Sequence, residues 1–149
     1  MAEPQIQKKV KKNPVDYMQD VVTDKAPKAI GPYVQGKILN PGAKLFYSSG
    51  VIPMIPETGE LVSQDITEQS ERVLQSIGGI LQDAGSDYQY VLKSMIFLDD
   101  MDNFAKFNEV YSKYFGGESK PARSCVAVKT LPKNVKVEME VIAIVPEDA

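Results

Sequence analysis

Residues 91–98 read VLKSMIFL, an apolar run of strand length that ends at Asp99 and Asp100. A run this short and this apolar is typical of a strand that is buried on both faces in the middle of a sheet. We therefore expect the rest of the chain to be arranged around residues 91–98, and the flanking patterns are considered outward from there.

Helical patterns lie on both sides of this central strand. Before it, Asp65 and Glu68 have the spacing of a capping box, and apolar residues then recur at helical intervals until Gly85. After it, a second amphipathic pattern covers residues 102–115. Each helix has a single apolar stripe, so the sequence predicts one sheet with both helices on one face.

Strand patterns occupy the two ends of the chain. They fall at residues 17–22, 34–39, 45–49, 123–130 and 135–145. Asn40-Pro41-Gly42 is a hairpin turn signal, and the turn at 131–134 predicts that the last two strands form a terminal antiparallel hairpin. The predicted element order is β-β-β-α-β-α-β-β, and the fold class is α+β.

Composition limits the domain count and the classes of function. A chain of 149 residues with 43% hydrophobic and 25% charged residues is typical of one globular domain. The first twenty residues differ, because they carry a basic run at 8–12 and little apolar content. We expect an N-terminal basic extension at 1–20 and a folded domain at 21–149. A net charge of −3 gives no electrostatic footprint for binding nucleic acid, and no apolar run has the ~20 residues that a membrane-spanning helix needs, so we expect neither a nucleic acid nor a membrane as partner.

The chain has 0 histidines and 1 cysteine. A Ser-His-Asp triad, an imidazole base and a histidine zinc site are therefore excluded. Cys125 cannot form an internal disulfide, which favours a reducing compartment; we expect the cytoplasm, with the mitochondrion as the alternative. Since no spacing fits a metal site, we expect no metal.

Two helices on one face leave the other face of an apolar sheet uncovered. We expect that face to be buried by self-association, which makes sites between identical subunits plausible.

Arg123 is the best candidate for a functional side chain. Its guanidinium is always charged and can hold a carboxylate through two parallel hydrogen bonds. Cys125 is two residues further along the strand, so both side chains should leave the same face. In the predicted hairpin, Glu138 lies opposite Ala127 or Cys125, where it could orient or deprotonate a water beside a bound acid. A salt bridge for Arg123 and a solvated carboxylate for Glu138 are equally open on spacing alone.

Turns supply the remaining candidates. Tyr33 follows Gly31-Pro32, and Ser49-Gly50 ends a strand, so backbone N–H groups and a phenol could approach a ligand there. Either segment could be only a turn. Cys125 has no histidine neighbour to lower its pKa, so we interpret it as a packed residue rather than a nucleophile.

Five segments together resemble the reactive intermediate deaminase family, also called the RidA or YjgF family. They are AIGPYVQG at 29–36, SGVIP at 49–53, NFAKFN at 103–108, PARSCV at 121–126 and LPKNVKVEME at 131–140. The resemblance implies a chorismate-mutase-like homotrimer with clefts between subunits. It also implies cofactor-independent hydrolysis of enamines and imines, such as 2-aminoacrylate and 2-iminobutanoate, to 2-keto acids and ammonia.

The resemblance also assigns roles to individual residues. Arg123 would bind the substrate carboxylate, and Glu138 would place the attacking water. The other residues carried over would line the pocket: Tyr33, Ser49, Gly50, Asn108 and Cys125.

Two other functions stay open. Members of the family are described as endoribonucleases that inhibit translation, although a pI of about 5.0 without a basic stripe disfavours binding to a phosphate backbone. The third possibility is a chaperone-like trimer that captures small carboxylates without turnover.

Overall fold

The structure is a computed structural model that describes residues 13–147. Its strands and helices confirm the predicted order and the α+β class. Their bounds are β1 Met18–Val21, β2 Gly36–Leu39, β3 Lys44–Tyr47, α1 Ile66–Asp83, β4 Val91–Leu98, α2 Phe104–Phe115, β5 Ala122–Ala127 and β6 Val137–Val145. The basic run at 8–12 lies outside the described residues, and the boundary at residue 20 stays a prediction.

The main sheet has the strand order β3-β6-β4-β5, with β4 and β6 at its centre. β5 runs parallel to β4, whereas β6 is antiparallel to both β3 and β4. The expectation that residues 91–98 lie in the middle of the sheet is confirmed.

The predicted terminal hairpin is wrong, because β4 lies between β5 and β6. β4, α2 and β5 form a crossover that returns the chain in the same direction, which makes β5 parallel to β4. The following connection passes around the end of β4, where Leu98 accepts the N–H of Val128 and Asp99 donates to Lys136. β6 therefore reaches the other edge of β4, and Glu138 lies opposite Phe97 rather than Cys125 or Ala127.

The first two strands form a separate antiparallel pair instead of extending the main sheet. The turn at Asn40-Pro41-Gly42 does not join paired strands, since β2 and β3 belong to different sheets. Asn40 instead hydrogen-bonds to the two residues just before β1. Its N–H and its side chain donate to the carbonyls of Tyr17 and Asp16. Tyr17 and Met18 then cover Ile144, so the pair packs at one end of the main sheet.

Both helices pack on one face of the main sheet, as predicted. α1 and α2 share a buried cluster with alternate residues of the two central strands, among them Ile96 and Met139. The sequence signals for the start and end of α1 are also confirmed. Asp65 caps the start of α1 by accepting the N–H of Glu68 at 2.9 Å, and Gly85 follows the end of the helix with a positive φ of 83°.

Residues 13–147 cover the opposite face of the sheet only in part. Met95 and Phe97 on β4 and Glu138 and Glu140 on β6 alternate with the buried core positions and point to this face. Tyr47 on β3 is 66% exposed. No helix within residues 13–147 combines the length and the hydropathy that crossing a bilayer requires.

Gly78 and Gly79 lie within the continuous helix α1, and the sequence predicts that they pack against the sheet. Instead, a Cβ at Gly78 would lie 2.7 Å from Cζ of Tyr88, whose hydroxyl donates to Leu74 O at 2.7 Å. A Cβ at Gly79 would meet nothing within 4 Å.

We therefore expect opposite effects from Gly78→Ala and Gly79→Ala. Gly79→Ala should raise the free energy of unfolding by about 0.5–1 kcal/mol, because alanine favours the helix and meets no neighbour. Gly78→Ala should lower it by about 1–3 kcal/mol, because Tyr88 must move in a packed region. Urea unfolding measures both changes, and equal shifts of the two midpoints would contradict the packing described here.

Candidate functional site

Arg123 is the second residue of β5 and lies beside the helices. It pairs in register with Ser94 on β4, which is fully buried under α2. Paired residues of neighbouring strands point to the same face, so Arg123 also points towards α2. Its guanidinium ends at the side of that helix, where Nη1 donates to Oδ1 of Asn108 at 2.7 Å.

Three aromatic rings surround the guanidinium. Its Cζ lies 4.7 Å from the ring centroid of Tyr111, 5.1 Å from that of Tyr33 and 5.6 Å from that of Phe104. These distances are within the range of cation–π attraction. We call Arg123, Asn108 and these three rings the cationic half-site.

One face of α2 supplies most of this half-site. Phe104, Asn108 and Tyr111 have the spacing i, i+4 and i+7, which places them on one side of a helix. The helical spacing of residues 102–115 predicts that Phe104 and Tyr111 belong to the apolar stripe of α2, but it does not predict their contact with Arg123. The spacing was visible, but the strand that faces it was not.

The segment before β2 forms the other wall of the cationic half-site. The N–H of Val34 donates to Pro121 O at 3.0 Å, which fixes this segment beside the start of β5. A Cβ on Gly31 would lie 3.1 Å from Nη2 of Arg123, so the glycine permits a close approach of the backbone. The Tyr33 hydroxyl accepts the N–H of Ile30 at 3.3 Å.

Cys125 lies next to the cationic half-site. It is two residues after Arg123, pairs with Ile96 and packs against the main core, so the shared face with Arg123 is confirmed. Burial raises the pKa of the Cys125 thiol, although nearby Arg123 opposes this shift. A raised pKa favours the neutral thiol, in line with a packed residue.

Glu138 lies on the other face of the sheet. It is the second residue of β6, between Val137 and Met139, both of which are fully buried towards the helices. A Cβ on Gly50 would overlap Oε1 of Glu138 and lie 3.0 Å from its Cδ. The carboxylate of Glu138 therefore rests directly over the backbone of Gly50.

Ser49 and Gly50 lie in a bulge that follows β3. Pairing with β6 passes from Tyr47 opposite Ile142 to Val51 opposite Met139, so three residues face two. The first of them, Ser48, is used structurally: its N–H and its Oγ bond the backbone of Val141. Ser49 and Gly50 are exposed, and with Glu138 they form what we call the acidic half-site.

The two half-sites do not meet within this chain. Arg123 points to the helix face, whereas Glu138 points to the open face. Their Cα atoms are separated by two strand spacings and three residues along the strands, which amounts to about 14 Å. The shared strand face expected for Arg123 and Glu138 is therefore wrong, because it depended on the terminal hairpin.

One cavity lies away from both half-sites. It has a volume of about 880 Å³ and is lined by β1, the 87–89 turn and residues 114–119. None of the predicted site residues lines it. Within residues 13–147, no group of three or more metal-binding side chains is present.

Comparison with known proteins agrees with these features. The family model described as endoribonuclease L-PSP matches residues 23–145. A RutC family protein of Pyrococcus abyssi is 52% identical over 124 residues, covering 83% of this chain and 94% of that protein. The chloroplastic reactive intermediate deaminase A of Arabidopsis thaliana is 47% identical over 123 residues, covering 83% of this chain and 64% of that protein.

A solved structure gives the same result. The crystal structure of Escherichia coli TdcF with bound serine superposes with a TM-score of 0.63 at 40% identity, covering 85% of this chain and 98% of that chain. The matched region contains both half-sites and every motif on which the family resemblance rests. The chain therefore belongs to the endoribonuclease L-PSP family, the RidA/YjgF family of the reactive intermediate deaminases.

Proposed function

We propose that the protein hydrolyses reactive imines and enamines of small 2-amino acids, such as 2-iminobutanoate and 2-aminoacrylate, to 2-keto acids and ammonia. The observation that carries this proposal is the set of hydrogen-bond and ion-pair partners of Arg123. Its only hydrogen-bonding side-chain partner within residues 13–147 is the neutral Asn108, and the ion pairs there join other residues. A half-buried cation without a carboxylate partner favours binding of a small anion.

The size and chemistry of the cationic half-site support a carboxylate ligand. Asn108 occupies one side of the guanidinium and aromatic rings surround it, so a planar carboxylate fits the remaining N–H groups better than a bulky polyanion. The relative TdcF has been crystallised with serine, which also has a small carboxylate. Tyr33, Asn108 and Cys125 would line the pocket around the bound acid.

The reaction needs little more than orientation and a water. Water attacks the imine carbon and transfers a proton to Glu138, while the C=N electron pair moves to nitrogen, which takes up a proton. The nitrogen of the resulting carbinolamine then takes the proton from Glu138 and leaves as ammonia, while the C=O bond forms and the hydroxyl proton returns to the solvent, replacing the proton that nitrogen took up from it in the first step. One imine and one water thus give one keto acid and one ammonia, without a cofactor.

The separation of the half-sites supports a site between two subunits. In one chain, Arg123 and Glu138 point to opposite faces of the sheet, so a single chain does not present both to one small substrate. We propose a homotrimer in which the cationic half-site of one subunit meets the acidic half-site of the next. Ser49 and Gly50 would then contact the substrate or its water from the second subunit. The open sheet face supplies the apolar surface for such an assembly.

A coupled assay tests the activity. Threonine dehydratase generates the imine, semicarbazide traps what remains, and added protein should shorten the imine lifetime. Arg123→Ala should abolish this effect, whereas Cys125→Ser should retain most of it, because the thiol is a packed neighbour. An imine lifetime that the protein leaves unchanged would reject the proposal and favour a carboxylate-binding trimer without turnover.

The family description makes ribonuclease activity the competing function. RNA cleavage measured over a salt series, with Arg123→Ala beside the wild type, separates the two. Cleavage that requires Arg123 while imine lifetime stays unchanged would establish the ribonuclease instead. The free Cys125 supports a reducing compartment, and we propose the cytoplasm.

A further inference from the structure

Ser94 is a polar residue at the centre of the buried sheet. It lies in the middle of β4 and is 0% exposed, although its neighbours on the same face, such as Ile96, are apolar. Its Oγ lies 2.7 Å from the hydroxyl of Tyr111, which is also 0% exposed. Burying a hydroxyl in a core costs free energy unless it is hydrogen-bonded, and here one of the two hydroxyls donates to the other.

The ring that Ser94 contacts is the ring closest to the guanidinium. The Arg123 Cζ lies 4.7 Å from the Tyr111 centroid, and Arg123 pairs in register with Ser94 on the neighbouring strand. Ser94 on β4, Tyr111 on α2 and Arg123 on β5 are therefore neighbours of one another: Ser94 is hydrogen-bonded to Tyr111, the Tyr111 ring contacts Arg123, and Arg123 pairs with Ser94. Burial raises the pKa of Tyr111 to about 12, so its hydroxyl keeps its proton at neutral pH.

The Tyr111 ring is held by Phe107, with the ring centroids 5.7 Å apart, and by two further contacts. Phe115 stacks on it with the centroids 4.5 Å apart and 21° between the ring planes. A stacked neighbour limits tilting of a ring, but it allows sliding within the ring plane. The hydrogen bond to Ser94 holds the hydroxyl end of the ring and opposes this sliding.

We infer that Ser94 and Tyr111 are a positioning pair that fixes the direction of the Arg123 guanidinium towards the substrate carboxylate. Tyr111 enters the cationic half-site through its contact with Arg123 and Ser94 through its hydrogen bond to Tyr111, and the inference rests on the proposed function. It predicts an effect on binding rather than on the chemical step, because the arginine–carboxylate contact is the same in the ground state and the transition state.

The double variant Ser94→Ala/Tyr111→Phe separates positioning from stability. Each single variant leaves a buried hydroxyl unsatisfied and should lower the thermal midpoint. The double variant removes both hydroxyls, so its midpoint should return towards that of the wild type. If the pair positions Arg123, KM for the imine should be raised about five-fold in the double variant, with kcat within about two-fold. A purely structural pair would instead give a wild-type KM once stability is restored, and that result would overturn the inference.

Binding of 2-ketobutanoate, measured by calorimetry, makes the test independent of turnover. The Kd should rise about five-fold in the double variant and by the same factor in both single variants. If the wild type binds the keto acid but hydrolyses no imine, the proposed function fails while this comparison still decides the role of the pair. If the double variant has the Kd and KM of the wild type, the positioning role of Ser94 and Tyr111 is rejected and the proposed function is unaffected. A wild-type protein that neither binds nor hydrolyses would reject both.

Discussion

Mixing Arg123→Ala subunits with Glu138→Gln subunits is expected to restore imine hydrolysis that neither variant performs alone. Each variant lacks one half-site and keeps the other. Because the half-sites lie on opposite faces of the sheet in one chain, a complete cleft in the proposed homotrimer would take Arg123 from one subunit and Glu138 from its neighbour. In a mixed trimer of either composition, one of the three clefts should contain both residues, so about one third of the wild-type activity should be restored.

The measurement uses co-expressed subunits that carry different affinity tags, so that only mixed trimers are purified and assayed. Trimers that mix Arg123→Ala subunits with Arg123→Ala/Glu138→Gln subunits are the matched control, because no cleft in them regains Arg123. Mixed trimers of the first kind that remain inactive would show that one subunit supplies both residues, contrary to the topology described above.

The sequence predicted the elements better than their pairing. Every strand and helix was visible from its period, and the central position of residues 91–98 followed from their apolar character. The error lay at β5 and β6, which were paired because they are neighbours in the chain. Whether a third strand lies between two neighbours depends on the crossover through α2, and a local pattern does not encode that.

This single error changed the interpretation of the site. With β5 beside β6, Arg123 and Glu138 would share a face within one chain. With β4 between them, the register places Glu138 opposite Phe97 and turns its side chain away from the helices. The residue types were predictable from motifs, but their division into two half-sites required the register.

The contacts of the aromatic rings were partly visible in the sequence. Phe104, Asn108 and Tyr111 lie on one helix face by spacing alone, and only their partner was unknown. Ser94 gave no such signal, because one serine within an apolar run can face either side of a strand. Its burial and its bond to Tyr111 required the packed structure.

Gly50→Ala is expected to abolish most of the activity while leaving the fold intact. Gly50 does not have a positive φ, so alanine causes no backbone strain there. The new Cβ would occupy the position of the Glu138 carboxylate, which is the mobile end of a long side chain and can swing away. A displacement of this kind moves the proton acceptor by an ångström or more, and such a misplacement typically costs about a hundred-fold in rate.

The imine assay measures the loss in Gly50→Ala, and circular dichroism with thermal unfolding checks the fold. Gly79→Ala is the matched control, because the same substitution in open space should leave the activity unchanged. If Gly50 acts only by leaving room for Glu138, then Gly50→Ala/Glu138→Gln should be no slower than Glu138→Gln alone. A further large loss in that double variant would mean that the backbone at Gly50 contributes to the reaction independently of Glu138.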